Sequence, residues 1–470
     1  MATALVWLRR DLRLKDNPAL ANAIADGYQP LLVYIHAPHE ESPWAPGKAS
    51  SAWLHFSLQQ LAIEIEQLGG KLQIACGDSL PILQSYQQQT GAQALYFNTL
   101  YEPIARTRDA YIKQEFERFG LAVKCFNSSL LIEPKYIQTG AGTPYKVFTP
   151  FWRNVLSQLQ IRAEYSAPLL LPAFDGIKSI GLDKLKLLPS ADWHCSFWQY
   201  WQPGEVGAHE MLEIFCDGAI NGYKVQRNLP DRTGTSKLSP HLHYGEISVH
   251  QIWRKLQSLS STEANSDDLK HYYSELGWRE FSHHLLHHFP GSCDQSLNPQ
   301  FQHFKWAEPD PVLLEKWKTG QTGVPIIDAG MRELWHTGWM HNRVRMIVAS
   351  FLCKNLRYHW LEGAKWFWDT LVDADLASNS QGWQWVAGTG CDAAPYFRIF
   401  NPVTQSERFD PKAVYIKRWV PELANLPAPL VFSPWLKPDV CQALAPHYPY
   451  VPIIDLAESR SAALVTYANR

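Results

Sequence analysis

The chain has 470 residues, which is too long for one ordinary hydrophobic core and predicts two domains. Hydrophobic residues make up 46% of the chain and charged residues 19%, a balance that excludes an intrinsically disordered protein. No apolar run approaches the ~18 residues of a membrane-spanning helix, and the formal net charge of −2 excludes a protein that coats nucleic acid through bulk charge.

The N-terminal sequence and the cysteines indicate the compartment. MATALVWLRRDLR lacks the basic start, apolar stretch and small-residue cleavage site of a signal peptide, so we predict a cytoplasmic protein with no membrane partner. The eight cysteines are scattered and form no CxxC pair. They predict reduced thiols rather than disulfides or zinc ligands, and no metal site is expected.

Residues 1–130 alternate strand-like and helix-like segments. Helical spacing covers 17–26 and 50–68, and short apolar runs lie between and beyond these segments. The runs are at 4–8, 31–35, 71–75, 94–97 and 121–126. The pattern predicts an α/β domain with a parallel five-stranded doubly wound sheet. No GxGxxG or GxxxxGK[ST] motif follows a strand, so no nicotinamide or nucleoside-triphosphate site is indicated.

The rest of the chain has a different character. Residues 131–200 are rich in Pro and Ser without a sustained period, which predicts a long interdomain linker. Residues 201–470 are dominated by helical patterns and predict an all-α domain that ends in a Pro-punctuated tail wrapping the domain. The predicted helices include 211–215, 252–259, 272–288, 313–318 and 344–358.

Several clusters mix charged, hydroxyl and aromatic residues. Arg9, Arg10, Asp11 and Arg13 follow the first strand and could form a ligand site or a domain-contact salt network; the network is the favoured interpretation. The TGTSKLS turn at 233–239 could hold a phosphate through its hydroxyls and backbone N–H groups, or could be an ordinary helix cap.

Two further segments have the spacing of functional helix faces. Glu275, Trp278 and Arg279 share one face, where a carboxylate, an indole and a guanidinium would converge. The following run of His residues at 283–288 could in principle bind metal, but no third ligand stands nearby, so we interpret it as facing the surface or DNA. In GWMHNRVRM, Arg343 and Met346 share a face that could grip a phosphate backbone, or the segment could be a salt-bridged helix start.

The segment from Trp360 to Pro402 combines five Trp with Asp373, Asp375 and Asn379. A plain core would not need so many polar atoms, and a plain surface would not carry so much indole. We therefore predict that this segment lines a large, flat, aromatic ligand.

Taken together, these segments resemble the photolyase and cryptochrome flavoprotein family. The resemblance is carried by WLRRDLRLKDN, GTSKLSPHLHYGEIS, ELGWREF, TGWMHNRVRMIVASFL and DADLASNSQGWQWVAGTGCDAAPYFRIFNP. It implies FAD inside the helical domain and a second, light-collecting pigment on the α/β domain. By the same resemblance the FAD contacts are Tyr223, Thr235, Ser236, Lys237, Leu238, Ser239, Tyr272, Glu275, Arg279, Asn342, Arg345, Asp373, Asp375 and Asn379.

The resemblance also implies the substrate and the chemistry. Asn379 matches the residue opposite flavin N5, where plant cryptochromes carry Asp, and this difference favours DNA repair over photoreception. The implied partner is UV-damaged DNA, and the implied reaction is splitting of a flipped-out cyclobutane pyrimidine dimer by an electron from photoexcited reduced FAD. The implied DNA contacts are Arg227, Trp278, Arg343, Met346, Trp385, Arg398 and Gln405, and Glu275 would hydrogen-bond the dimer.

A chain of indoles is implied as the route by which electrons reach an oxidised flavin. Trp383, Trp360 and Trp306 match that chain, and Trp317, Trp339 and Trp366 offer other outer routes.

The light-collecting pigment is expected to be 5,10-methenyltetrahydrofolate, with a deazaflavin as the alternative. Tyr101-Glu102-Pro103 and Cys293-Asp294 depart from one known folate site, whereas the PWAPGKAS and TPYKVF segments resemble the bacterial subgroup nearest plant cryptochromes. A monomer without an obligate protein partner is expected. The alternative functions are a cryptochrome-like blue-light photoreceptor and repair of the (6-4) photoproduct.

Overall fold

The computed structural model describes residues 2–259 and 266–469. Its strands are β1 (Thr3–Leu8), β2 (Gln29–His36), β3 (Gln73–Cys76), β4 (Ala94–Asn98) and β5 (Ala122–Phe126). Its α-helices are α1 (Pro18–Ala25), α2 (Lys48–Gln67), α3 (Ser79–Thr90), α4 (Pro103–Arg118), α5 (Phe148–Gln158), α6 (Glu205–Ile214), α7 (Tyr223–Gln226), α8 (Ser239–Tyr244), α9 (Val249–Leu259), α10 (Ser266–His288), α11 (Pro311–Lys318), α12 (Pro325–Thr337), α13 (Asn342–Ser350), α14 (Trp360–Thr370), α15 (Leu376–Ala387), α16 (Pro402–Phe409), α17 (Val414–Trp419), α18 (Pro438–Leu444) and α19 (Leu456–Ala468).

The strands form one parallel sheet in the order β3-β2-β1-β4-β5, which confirms the predicted sheet. Leu5 of the central strand β1 pairs in register with Leu31 of β2 and Leu95 of β4. Successive residues of a strand point to opposite faces, and β1 is buried from Ala4 to Leu8. Both faces of the sheet are therefore covered, which is why its strands read as continuous apolar runs.

Contacts divide the chain into two compact units. The first comprises Met1–Asp192, Trp201–Gly218 and Ser236–Pro290, and the second comprises Trp193–Tyr200, Ala219–Thr235 and Gly291–Arg470. The first unit contains the sheet and ends with α10, and the described part of 291–469 contains helices and no strand. The predicted domain limits at 130 and 200 rest on sequence character and stay a prediction.

The segment 131–200 is more ordered than its sequence predicted. It contains α5, whose Phe151, Trp152 and Val155 are buried. A Cβ added at Gly277 of α10 would lie 2.7 Å from the Trp152 ring, so the glycine allows the two helices to pack closely. The sequence did not indicate this helix because it has only 11 residues and its Pro-rich flanks hide its apolar face.

The charged cluster after β1 forms an ion-pair and hydrogen-bond network, as favoured from the sequence. Arg9 Nη1 lies 3.0 Å from Asp109 Oδ2, and Arg10 pairs with Glu41 at 2.9 Å. Arg13 is buried and donates to the backbone oxygen of Gly245 at 2.7 Å. Within the first unit, the network therefore links the segment after β1 to the turn after α8.

Two further features of the second unit are the end of α13 and the anchoring of the C-terminal tail. The helix predicted at 344–358 is α13 followed by a π-helical turn at Phe351–Asn355, and it ends at Arg357, which has a left-handed φ of 58°. The C-terminal tail is anchored by Tyr448, whose hydroxyl donates to Asp328 Oδ2 at 2.5 Å.

Among the described residues, no helix has the length and apolar character needed to cross a membrane.

Candidate functional site

The hydroxyl-rich turn before α8 packs beside α10 in the first unit. Lys237 adopts a left-handed φ of 53°, so the chain reverses sharply between Ser236 and Leu238. Tyr272 is buried; burial raises the pKa of its phenol, and a hydrogen bond with Ser236 lowers that pKa in part. The structure thus brings the turn and Tyr272 together, whereas Ser239 is exposed at the start of α8.

The face of α10 predicted to be functional is half-buried. Arg279 Nη1 donates to the backbone oxygen of Ser129 at 2.8 Å, so its guanidinium is anchored to the segment after β5. Neighbouring Glu280 is buried, and burial raises the pKa of its carboxyl to about 7 against the opposing effect of Arg279. Glu275 is half-buried one turn earlier on the same helix.

Trp278 is stacked on a residue that sequence reasoning did not select. The ring of Phe148, at the start of α5, lies 3.9 Å from the Trp278 ring at an interplanar angle of 8°. Phe148 is in turn 6.3 Å from Trp152. Such stacking fixes the plane of the Trp278 indole. Phe148 belongs to the TPYKVF segment, which the resemblance connected only with the light-collecting pigment.

The His residues at the end of α10 were predicted to face the surface or DNA, and this prediction is wrong for two of them. His283 and His284 are buried, and His284 lies 4.9 Å from the Phe151 ring and 4.6 Å from the His288 ring. Burial lowers the pKa of His284 to about 3. The spacing was misinterpreted because α5 covers this side of α10.

The start of α13 holds several predicted residues in the second unit. The side chain of His341 caps the helix by accepting from Arg343 N at 3.2 Å. Arg345 Nη2 lies 2.9 Å from Asp373 Oδ2 in an ion pair, and Arg345 Nε donates to Met340 O at 2.7 Å. Asn342 is exposed at the first position of the helix.

Arg343 is held on three sides. Its Nη2 donates to Asn228 Oδ1 at 2.5 Å, its Nη1 lies 3.6 Å from Met346 Sδ, and its guanidinium lies 4.5 Å from the Phe409 ring centroid. Arg343 and Met346 therefore do share one face of α13. Asn228 was missed from the sequence, although it adjoins Arg227.

Asp375 and Asn379 are ordered by the start of α15. Asp375 caps the helix, and its Oδ1 accepts from Ser378 N at 2.7 Å. Asn379 is 8% exposed, and its Nδ2 donates to Ala364 O at 3.0 Å, which fixes the orientation of the amide.

Of the three Trp residues predicted to carry electrons, Trp360 and Trp306 are joined through the ring of His359, and the ring of Trp383 lies 6.3 Å from that of Trp317. Trp383 is buried and packs on α14, where a Cβ added at Gly363 would lie 2.0 Å from its ring. Trp360, three residues before Gly363, is fully buried and lies 5.5 Å from the His359 ring. His359 lies 5.2 Å from half-buried Trp306, so an aromatic series leads from Trp360 towards the surface.

The remaining predicted DNA residues lie near the surface of the second unit. Arg398 is exposed, with its guanidinium 5.6 Å from the Phe400 ring, while Trp385 and Gln405 are half-buried. Arg227 is half-buried, 5.7 Å from the ring of buried Tyr223. Thr235 is half-buried beside Gly234, where a Cβ would lie 2.4 Å from Gln226 O. No contact joins Arg398, Trp385 and Gln405 to one another in the described structure.

The residue types in each of these segments suit one part of a flavin dinucleotide. Hydroxyls and a lysine in the 235–239 turn suit a pyrophosphate, carboxylates at 373 and 375 suit ribityl hydroxyls, and the fixed amide of Asn379 suits a polar ring edge. Among described residues, His39, Glu40 and Asp78 are the group whose atoms approach one another closely enough for a metal ion, and they lie in the short helical turn after β2 and at the start of α3.

Comparison with known proteins agrees with this assignment. A family model described as DNA photolyase matches residues 4–172, and one described as the FAD binding domain of DNA photolyase matches residues 272–469. The chain is 44% identical to a deoxyribodipyrimidine photo-lyase of Agrobacterium fabrum over 99% of this chain and 98% of that protein. It is 37% identical to cryptochrome-1 of Arabidopsis thaliana over 97% of this chain and 69% of that protein.

The fold comparison gives the same result. A crystal structure of a bacterial class III photolyase from Agrobacterium tumefaciens superposes with a TM-score of 0.95 at 43% identity, covering 100% of this chain and 98% of that one. The sheet domain and the helical domain of this chain are thus both similar to those of solved photolyases.

Proposed function

The chain belongs to the DNA photolyase family, and from this premise we propose that it is a deoxyribodipyrimidine photolyase that repairs cyclobutane pyrimidine dimers with light. The observation that carries repair over photoreception is Asn379. Its buried amide is neutral and fixed on Ala364 O, so it tolerates a negative charge on the reduced flavin ring, whereas a carboxylate there would repel that charge.

We propose that FAD is held by the residues that the resemblance assigns to it. Tyr223 and residues Thr235, Ser236, Lys237, Leu238 and Ser239 hold the phosphates, and Tyr272, Glu275 and Arg279 contact the cofactor. Asn342 and Arg345 contact the flavin, and Asp373 and Asp375 accept from the ribityl chain. The Arg345–Asp373 ion pair at 2.9 Å supports this role, because it orients a carboxylate that would otherwise be costly to bury.

When bound and reduced, FAD supplies one electron under blue light, which is the chemistry that splits the two cyclobutane bonds. The protein then has to hold and polarise the dimer. Trp278, whose plane is fixed by Phe148, and Trp385 stack on the dimer. Met346 contacts it, and Glu275 hydrogen-bonds a carbonyl of the dimer and stabilises the anion radical formed there.

Met346 favours the cyclobutane dimer over the (6-4) photoproduct. Enzymes acting on the (6-4) lesion use paired His at the substrate, and here a thioether stands where one His is expected. Arg227, Arg343, Arg398 and Gln405 would hold the phosphates on either side of the lesion. The contact of Arg343 with both Asn228 and Met346 supports a link between phosphate and lesion contacts.

We propose that Trp383, Trp360 and Trp306 deliver electrons from the surface. Trp306 is favoured as the outer residue because His359 bridges it to Trp360 within about 5.5 Å. The buried Nε1 of Trp360 has no hydrogen-bond partner among the described residues. After oxidation this indole therefore has no group to take its proton, so the positive charge moves on to Trp306.

The proposed light-collecting pigment is 5,10-methenyltetrahydrofolate, with a deazaflavin as the alternative. Burial of Trp44 in the PWAPGKAS segment supports an aromatic pigment contact in the first unit. An absorption spectrum of the purified protein distinguishes the two pigments by their separate near-UV and violet bands beside those of flavin. We further propose a cytoplasmic monomer.

Substrate choice and the role of Glu275 test the proposal together. Reduced holoprotein is illuminated with oligonucleotides that carry either a cyclobutane dimer or a (6-4) photoproduct, and restored bases are quantified by chromatography. Only the cyclobutane lesion should disappear, and Glu275→Ala should lower its quantum yield roughly tenfold or more. Glu407→Ala, at an exposed position of α16, is the control. Flavin photoreduction without loss of either lesion would instead favour the cryptochrome-like photoreceptor.

A further inference from the structure

Lys354 is a fully buried lysine beside the proposed electron path. It lies in the π-helical turn Phe351–Asn355, and its Nζ donates to the backbone oxygen of Ala387 at 2.6 Å. The same Nζ lies 3.4 Å from the centroid of the Tyr396 ring. A cation at this distance interacts directly with the π-system of the ring.

No carboxylate neutralises this lysine in the described part of the chain. Besides burial, which lowers the pKa of Lys354 to about 7, Cys353 is the one titratable group that shifts it. Burial raises the pKa of the Cys353 thiol to about 12, so that group is neutral. A buried ammonium without a counter-ion is costly, and a methionine would fill the same space more favourably. The cost suggests that the charge has a use.

Tyr396 lies where the positive charge on the Trp series could be diverted. Phe304 contacts Trp306 at 4.8 Å and Tyr396 at 5.1 Å. Tyr396 in turn stacks on Tyr467 of α19 at 4.9 Å with an interplanar angle of 3°. An aromatic branch therefore leads from Trp306 through Phe304 to a tyrosine pair, and Tyr467 is half-buried.

Two features oppose oxidation of Tyr396. Its hydroxyl is buried without a hydrogen-bond partner among the described residues, so no group accepts the proton that a neutral tyrosyl radical must lose. The Lys354 ammonium on its face repels the positive charge that electron loss would create. Both features act on the same ring.

Building on the proposed function, we propose that Lys354 is a positioning residue that determines which aromatic side chain carries the positive charge left by electron transfer. The charge of Lys354 beneath the Tyr396 ring keeps that positive charge on the tryptophan series and prevents it from moving to Tyr396. With oxidised FAD bound, Trp383 would give one electron to the photoexcited flavin, Trp360 would then refill Trp383, and Trp306 would refill Trp360. An external thiol reductant then refills Trp306. No electron is drawn from Tyr396 in this sequence.

Lys354 could instead serve only to pair the Ala387 carbonyl at the end of α15. That alternative predicts no change in the identity of the radical when the charge is removed, provided that the protein folds. The two interpretations therefore differ in a spectroscopic signature rather than in stability.

The test is transient absorption and electron paramagnetic resonance of FAD-loaded protein with oxidised flavin, after a blue flash at pH 6. The parent should show a tryptophanyl radical. Lys354→Met should raise the tyrosyl share of the signal roughly tenfold or more, and adding Tyr396→Phe should remove that increase. Lys437→Met, at an exposed position, is the control and should match the parent. An unchanged tryptophanyl radical in folded Lys354→Met would overturn the proposal.

A second variant decides the matter if Lys354→Met does not fold. Tyr396→Phe removes only a hydroxyl that has no partner, so it should fold and should leave the yield and lifetime of the tryptophanyl radical unchanged. A changed yield or lifetime would show that Tyr396 carries charge in the parent, which contradicts insulation by Lys354. Absence of any tryptophanyl radical in the parent would instead refute the Trp series of the proposed function, and the insulation with it.

Discussion

Gly363 determines where Trp383 can lie. A Cβ at this position would come within 2.0 Å of the Trp383 ring, far closer than real side chains approach. Trp383 and Trp360 could be selected from the sequence but Gly363 could not, because no pattern of residue types shows which ring will pack on a helix backbone. The identities of the site residues could be proposed from motifs, whereas their supports, such as Gly363, Asn228 and Phe148, required the structure.

Gly363→Ala should therefore displace Trp383. Overpacking of this kind costs about 1–3 kcal/mol in the free energy of unfolding, and the shift of the indole should slow flavin photoreduction several-fold. The control is Gly382→Ala in α15, where a Cβ meets nothing within 4 Å. That change should stabilise the helix by up to about 1 kcal/mol and leave photoreduction unchanged. Photoreduction kinetics and urea unfolding give both quantities, and equal behaviour of the two variants would refute this dependence.

At the scale of elements, α10 shows what periodicity predicts and what it misses. Its existence and its functional face were predicted at 272–288, and it spans Ser266–His288. The burial of His284 was not predicted, because it depends on α5, an 11-residue helix inside a segment that reads as a linker. The π-helical turn after α13 was likewise missed, since the apolar pattern continues through it. Tertiary packing, rather than the local sequence pattern, determines both the burial of His284 and the π-helical turn.

The buried His284 should make stability fall in acid. Its pKa is lowered by burial to about 3 in the folded protein, against about 6.5 in an unfolded chain. Both states are neutral above pH 6.5, so its contribution is complete there. Between pH 6.5 and 3 the unfolded chain takes up a proton that the folded protein does not, and stability falls, by about 2 kcal/mol at pH 5.

Thermal unfolding at pH 7.5 and pH 5 measures this effect. His284→Leu should lose less stability between the two pH values than the parent, by about 2 kcal/mol. His447→Leu, at an exposed position, should keep the dependence of the parent. An identical pH dependence in His284→Leu and the parent would contradict the assigned burial.

At the scale of the whole molecule, the order of apolar and helical segments along the sequence was the feature that predicted the fold. Alternating apolar runs predicted the parallel sheet, and helical patterns predicted the all-α C-terminal part; both are confirmed. The predicted domain limits at 130 and 200 stay a prediction, and the compact units cut across sequence order at 193–200 and 219–235. Contacts between residues distant in sequence decide such limits, and no local pattern encodes them.

We expect the proposed DNA interface to make few phosphate contacts. With the cations Arg227, Arg343 and Arg398, the logarithm of the binding constant should fall with the logarithm of salt concentration with a slope of about −3. Arg398→Gln should weaken binding to dimer-containing duplex and reduce the slope by about 1. Arg118→Gln, whose side chain is 75% exposed in the sheet domain, is the control. Fluorescence anisotropy across a salt series measures the slopes, and no loss of slope in Arg398→Gln would remove Arg398 from the interface.

Light-driven repair of cyclobutane pyrimidine dimers is the function proposed for this protein. The direct measurement is chromatographic loss of a single thymine dimer from an oligonucleotide present in excess over reduced, FAD-loaded protein, with and without blue light. We expect complete restoration in the light, with many dimers repaired per protein molecule, and none in the dark. Intact dimers after illumination, in a sample whose flavin is bound and reduced, would contradict it.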